Sequence, residues 1–174
     1  KHEPIDSISL EVEDIIIHAM DRHTKMDVPY AFQLSGGLDS SLLCAIERRI
    51  FSRKPNTFSI SLPEGAEMNE QKKQLFVSKF VNSNHVDIPY TKKDFENDIA
   101  YTSLISDFPI LHPNSVPIYR LAKIARSNFK VLLSGEGADE MFMGYNKYSY
   151  AINQNLLDLF GKVFFFNHKF IPKI

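Results

Sequence analysis

Cysteine is almost absent: Cys44 stands alone in 174 residues. No disulfide can close within the chain, which excludes a stapled secreted scaffold and suits a reducing cytosol. Neither charge is in excess, with 20 Lys and Arg against 21 Asp and Glu and a formal net charge of −1. The basic residues are scattered, and no basic patch is interleaved with aromatics, so nucleic-acid binding is not indicated. No apolar run approaches the ~20 residues of a membrane-spanning helix, and no signal-peptide pattern is visible. There is no internal repeat and no low-complexity linker. These absences leave the expectation of one cytoplasmic domain, long enough to bury its own core. Cys44 lies in an apolar helical stretch and reads as a small buried hydrophobe rather than a nucleophile. Glycine is scarce as well, at 7 residues, and Gly36, Gly37, Gly135 and Gly137 fall in two short motifs.

The first motif is Ser35-Gly36-Gly37-Leu38-Asp39-Ser40-Ser41. It follows the strand-like run Ala31-Phe32-Gln33-Leu34 and opens the helix-like run Leu42-Leu43-Cys44-Ala45-Ile46-Glu47-Arg48-Arg49. Gly36 and Gly37 let the backbone adopt unusual dihedrals and approach an anion. Ser35, Ser40 and Ser41 add hydroxyl donors, and a helix amino terminus offers free N–H groups to a phosphate. The Gly-Lys-Ser/Thr ending of a Walker A loop is absent. Asp39 would repel a bare phosphate, so its presence makes sense with Mg²⁺, which prefers carboxylate and phosphate oxygens. Gly-Gly alone is explained by a plain strand-to-helix turn; the full string after a buried strand points to phosphate binding.

The second motif is Ser134-Gly135-Glu136-Gly137-Ala138-Asp139-Glu140, after Val131-Leu132-Leu133. Both motifs therefore stand at the carboxyl end of a predicted parallel strand, where open α/β sheets place their ligands. The rest of the chain alternates in the same way. Helices are predicted over 12–26, 39–51, 68–81, 92–105, 117–126 and 142–160, and strands over 31–34, 57–62, 85–88 and 131–133. This alternation implies an α/β fold, a parallel sheet with helices on both faces.

The first motif resembles the pyrophosphate loop of the N-type ATP pyrophosphatases, which include asparagine synthetase, β-lactam synthetase, GMP synthetase and NAD synthetase. Leu133 to Glu140, followed by Gly144-Tyr145, resembles the synthetase domain of glutamine-dependent asparagine synthetase. Asp107-Phe108-Pro109 and Asn114-Ser115-Val116-Pro117-Ile118-Tyr119 are similar to the loop and helix before that motif in the same family. The resemblance runs from about Ile15 to Tyr150. It implies an adenine nucleotide alpha hydrolase-like fold and a ligase that uses ATP and Mg²⁺. A carboxylate, aspartate in this family, attacks the α-phosphorus of ATP to give an acyl-adenylate and pyrophosphate. Ammonia then displaces AMP to form an amide. By the same resemblance Ser35, Gly36, Gly37, Asp39, Ser40 and Ser41 hold the β- and γ-phosphates. Asp39 and Asp139 coordinate Mg²⁺. Leu34, Ile60, Ser134 and Gly135 line the adenosine pocket, partly through backbone groups. Glu136 and Tyr145 stand near the reacting carboxylate.

Plainer readings stay open for several of these residues. Asp139 and Glu140 fit the first turn of a helix by charge alone, and Tyr145 fits a core. Met143 departs from the family, which often has glycine there. His18 and His23 are five apart, the wrong spacing for one helical face. Arg48, Arg49, Lys72 and Lys73 read as solvated faces, and His85 and His112 as structural or exposed. Three functions remain: an asparagine synthetase-type domain, another N-type enzyme such as a β-lactam synthetase or a sugar amidotransferase relative, and a non-catalytic nucleotide-binding protein. The expected partners are a small carboxylate substrate, ammonia and a glutaminase domain, with a homodimer left open. Relative to the full family enzyme the chain is expected to be incomplete at both ends. The glutaminase domain would precede Lys1, and the family's catalytic lysine would follow Ile174. The apolar run Val163-Phe164-Phe165-Phe166 then awaits a partner segment, and the chain by itself is expected not to complete the amide-forming reaction.

Overall fold

A computed structural model describes residues 5–63, 65–66, 69–145 and 148 of the chain. Its backbone divides into two compact units, Lys1–Gly135 and Glu136–Ile174. The first unit contains α1 (Ile5–Thr24), β1 (Tyr30–Gln33), α2 (Leu38–Arg49), β2 (Asn56–Ser61), α3 (Gln71–Phe80), β3 (Asn84–Pro89), α4 (Lys92–Ser106), α5 (Ser115–Ala125) and β4 (Val131–Leu133). The second unit contributes α6 (Ala138–Phe142). Among the described residues, no helix is long and apolar enough to cross a membrane.

The four strands form one sheet in the order β3-β2-β1-β4, and every neighbouring pair is parallel. Phe32 lies opposite Thr57, and Ala31 opposite Leu132. The chain runs from β1 outward through β2 to β3 and then returns to the other side of β1 with β4. The order therefore reverses at β1 and β4, where such sheets open a crevice beyond their carboxyl ends. Both predicted motifs begin at those two ends.

Side chains alternate across a strand, and the core follows that alternation. Phe32 and Leu34 bury themselves with Met20 of α1, Cys44 and Ile46 of α2, and Val81 beside α3. Ala31, pointing the other way, joins Phe58 and Ile88 with Leu121 and Ala125 of α5. Helices thus cover both faces, as the alternation of elements predicts. Cys44 is fully buried, and burial, aided by the charge of Glu47, pushes its thiol up to about 12. It is the inert apolar filler that its sequence context predicts.

Most strand and helix ends fall within a residue or two of expectation, with three differences. Helix α1 starts at Ile5, seven residues before the predicted position. Helix α3 turns a polar face inward, with Gln74 and Ser78 buried, while Phe76 and Phe80 lie on the surface. The predicted helix over 142–160 is corrected at its start: Phe142 ends α6, because Met143 adopts a left-handed φ of 58°. Most of the remainder of that predicted helix, and Val163–Phe166, lie outside the described residues.

Helices α4 and α5 are stapled together. Arg120 Nε donates to Asp98 Oδ2 at 2.7 Å, and Nη2 lies 3.4 Å from Asp94 Oδ1. Asp98 is buried, and the Tyr90 hydroxyl also faces its Oδ2. Removing the guanidinium strands a buried carboxylate, which costs several kcal/mol in a sealed site but less here, where Arg120 keeps contact with water. Arg120→Met is expected to lower stability by about 2 kcal/mol, and Arg120→Met with Asp98→Asn to recover part of the loss. Urea midpoints at constant m-value measure both.

Candidate functional site

The candidate site is the chain reversal between β1 and α2. Strand pairing continues one residue past β1, with Leu34 N–H donating to Phe58 O at 2.8 Å. Ser59 Oγ donates to Leu34 O from the neighbouring strand. Leu34 is therefore fixed at the sheet edge with both backbone groups engaged. Beyond it the loop is tied from within by serine hydroxyls. Buried Ser40 accepts from Ser35 N–H at 3.2 Å, and its Oγ lies 2.9 Å from Ser35 Oγ. Gly37 N–H donates to Ser35 Oγ at 3.2 Å, and Ser41 Oγ donates to Gly37 O at 2.6 Å. These bonds set the loop's shape before any ligand arrives.

Helix α2 begins at Gly37, an extended N-cap whose lack of a side chain leaves the first-turn N–H groups without a side-chain cap. A serine, threonine or aspartate there would normally satisfy one of them. The helix thus presents uncapped donors and the positive end of its dipole at the sheet edge, the arrangement that binds anions.

Two glycines permit the close packing around this loop. Gly36 has φ 83°, and a Cβ there would lie 2.9 Å from both Gln74 N and Lys73 Cβ. The first turn of α3 therefore presses directly on the loop. Gly135, after β4, would place a Cβ 2.8 Å from Asp39 Cβ and 2.9 Å from Ser40 N. The Ser134–Gly135 corner and the Ser35–Ser41 loop are thus in contact, as neighbouring parallel strands with motifs at one edge require. Asp39 stands half-buried in that contact. Its carboxylate, uncapped N–H groups and hydroxyls form a donor set that fits a magnesium-bound phosphate chain. Among the described residues, no three His, Cys, Asp or Glu side chains gather around one point, so a metal here would need ligand oxygens as well.

The other predicted residues are placed as follows. Ile60 packs its side chain against the Ala31–Phe58 cluster, and its carbonyl accepts from Gln74 Nε2 at 3.1 Å. Glu136, Asp139 and Tyr145 belong to the second unit and are exposed. There Met143 and Gly144 both donate backbone N–H groups to Asp139 O. A Cβ on Gly144 would overlap the Asp139 carboxylate as it stands, so glycine lets that carboxylate keep its present position. Met143 holds a left-handed conformation, φ 58°, of the kind that suits glycine. The Tyr145 hydroxyl donates to Glu140 Oε1, and that bond, with burial second, pushes its pKa up to about 12. Tyr145 is therefore a neutral phenol tied to an acid, not a core residue.

Sequence reasoning missed Ser59, Lys73 and Gln74. Serine in the middle of Phe58-Ser59-Ile60 was a usable sign, since a buried hydroxyl needs a partner. Glutamine on the inward face of α3 was another. Lys73 gave no local sign; its place follows from the long-range packing of α3 on the loop.

The site is thus a glycine-serine loop, without a side-chain cap, between an interior parallel strand and the helix that follows it. The family model of asparagine synthase matches residues 11–164. The chain belongs to the asparagine synthase family. It is 33% identical over 145 residues to the glutamine-hydrolyzing asparagine synthetase 1 of Bacillus subtilis, covering 82% of this chain and 22% of that protein. It is 34% identical over 136 residues to a putative glutamine-hydrolyzing asparagine synthetase 2 of Methanocaldococcus jannaschii, covering 78% of this chain and 26% of that protein. The chain thus spans about a quarter of the length of these relatives. Among solved structures it is similar to an NH3-dependent NAD synthetase from Campylobacter jejuni, with TM-score 0.47 and 16% identity over 83% of this chain and 62% of that one.

The packing at Gly36 is directly testable against Gly65, which also has a positive φ but, among the described residues, no neighbour for a Cβ. Both alanine substitutions carry the left-handed penalty, about 1 kcal/mol. Gly36→Ala must also push α3 away, so it is expected to cost roughly 1–3 kcal/mol more than Gly65→Ala. Equal denaturation midpoints for the two variants would contradict the packing.

Proposed function

We propose that this chain is the ATP-binding synthetase region of a ligase that activates a carboxylate as an acyl-adenylate and transfers it to ammonia. The Ser35–Ser41 loop carries the reading. It stands at the sheet reversal, begins an uncapped helix, and packs against Gly135 of the second motif. Family membership supports the reaction class, and the names of the relatives support aspartate as acyl substrate and glutamine as the source of ammonia.

In this reading the uncapped N–H groups of α2 orient the β- and γ-phosphates, and the serine hydroxyls, bonded within the loop, hold it in the shape that receives them. Ser40 keeps the loop open by holding Ser35, and Asp39 carries Mg²⁺. Asp139 keeps the magnesium role that the family resemblance implies. Bound Mg²⁺ would supply positive charge on the pyrophosphate that leaves. Fixed backbone donors lower the barrier because they need no reorganisation as charge moves onto the leaving group. Leu34, Ile60, Ser134 and Gly135 border the adenosine side of the loop. Glu136 and Tyr145 are proposed to meet the acyl substrate. A cytoplasmic setting accompanies this reading, supported by the single, buried cysteine.

Titration calorimetry tests the reading. ATP is expected to bind more tightly with Mg²⁺ than without it, and Asp39→Ala to lose most of that difference. Equal ATP binding by wild type and Asp39→Ala, with no dependence on the metal, would contradict it. A panel of carboxylates, scored by pyrophosphate release from a full-length enzyme containing this region, then separates aspartate from other acyl substrates.

A further inference from the structure

We propose that Lys73 is a phosphate-binding residue of the Ser35–Ser41 site, its ammonium passing from Glu70 to the phosphate chain when a nucleoside triphosphate binds. This rests on the reading of the loop as an ATP site. The root of the side chain is already against the loop, since a Cβ on Gly36 would lie 2.9 Å from Lys73 Cβ. From there a flexible four-carbon stem carries three donors.

That turn of α3 is held in place. Gln74, the next residue, is buried, and its Nε2 donates to Ile60 O at 3.1 Å. Its backbone nitrogen sits on Gly36. Lys73 is therefore rooted at a fixed place relative to both the loop and β2. Only its head is free to choose a partner.

The present partner is a weak one. Lys73 Nζ lies 3.0 Å from Glu70 Oε1 in an i,i+3 pair, with side chains 66% and 42% exposed. Exposed pairs of this kind contribute little. A phosphate chain carries more charge and accepts stronger, charge-assisted bonds. The exchange is therefore downhill when such a chain lies over Gly36.

The loop also has need of a cation. Residues 35–41 contain no basic side chain and one carboxylate, Asp39. Their hydroxyl and N–H groups donate hydrogen bonds but leave the charge of a triphosphate uncompensated apart from the metal. Lysine serves phosphate as a point charge without demanding planar geometry. The ligand class is a nucleoside triphosphate or pyrophosphate, because the β- and γ-phosphates are the groups this loop is read to hold.

Calorimetry with ATP, inorganic pyrophosphate and AMP, each with Mg²⁺, tests this on wild type, Lys73→Gln, Lys73→Arg and Glu70→Gln. Circular dichroism confirms that each variant is folded. Lys73→Gln is expected to weaken ATP and pyrophosphate by about tenfold or more, the loss of one charge-assisted bond. AMP affinity is expected to stay unchanged, and Lys73→Arg to restore most ATP binding. Glu70→Gln releases the ammonium and is expected to bind ATP at least as tightly as wild type. Unchanged ATP affinity in Lys73→Gln, or an equal loss for ATP and AMP, overturns the role of Lys73 and leaves the loop reading standing. Failure of the wild-type protein to bind ATP or pyrophosphate overturns the loop reading and the lysine with it.

Discussion

Close backbone approach around one loop is the constraint on which the site depends. At Gly36 the first turn of α3 comes within 2.9 Å of where a side chain would begin. At Gly135 the exit from β4 comes as close to the first turn of α2. Three elements from distant parts of the sequence converge there only because two residues lack a Cβ. Interiors this dense are not continuously deformable. The loop's shape is therefore inherited from the packing of the sheet and its helices.

The energetic logic divides the loop into two kinds of group. Hydroxyls of Ser35, Ser40 and Ser41 are spent on bonds within the loop. They hold geometry. The uncapped N–H groups of α2 and the Asp39 carboxylate are the groups that the proposed function assigns to the ligand. Separation of this kind is what preorganisation requires: one set of contacts fixes the frame so that another meets charge without rearranging. The second unit repeats the device on a smaller scale. Glycine at 144 makes room for the Asp139 carboxylate, and the left-handed Met143 brings its own N–H and that of Gly144 onto Asp139 O.

Much of this was legible in the sequence, and the reasons are physical. Strand β1 was readable because Ala31-Phe32-Gln33-Leu34 is apolar on both faces, as a central parallel strand must be. The loop was readable because Gly-Gly and serine after such a strand answer a specific need for close approach and donors. The parallel sheet, with both motifs at carboxyl ends of its strands, was anticipated from the βαβ alternation. Other features resisted. The polar inward face of α3 runs against the rule that a buried helix face is apolar; Gln74 is there because a strand carbonyl, Ile60 O, waits for it. Lys73 looked like any surface lysine, since nothing local records that α3 lands on Gly36. The helix predicted from Phe142 onward failed at its start because one left-handed residue, Met143, stops α6 where composition would continue it.

The bond broken in ATP is the most direct arbiter. A loop that holds the β- and γ-phosphates together on fixed donors favours departure of both as pyrophosphate, not of the γ-phosphate alone. Phosphorus NMR of a full-length enzyme that contains this region, supplied with ATP, Mg²⁺, aspartate and ammonia, reads the products without coupling enzymes. The proposed function predicts AMP and pyrophosphate in equal amounts, formed only when the carboxylate is present. ADP and inorganic phosphate as the products would contradict it.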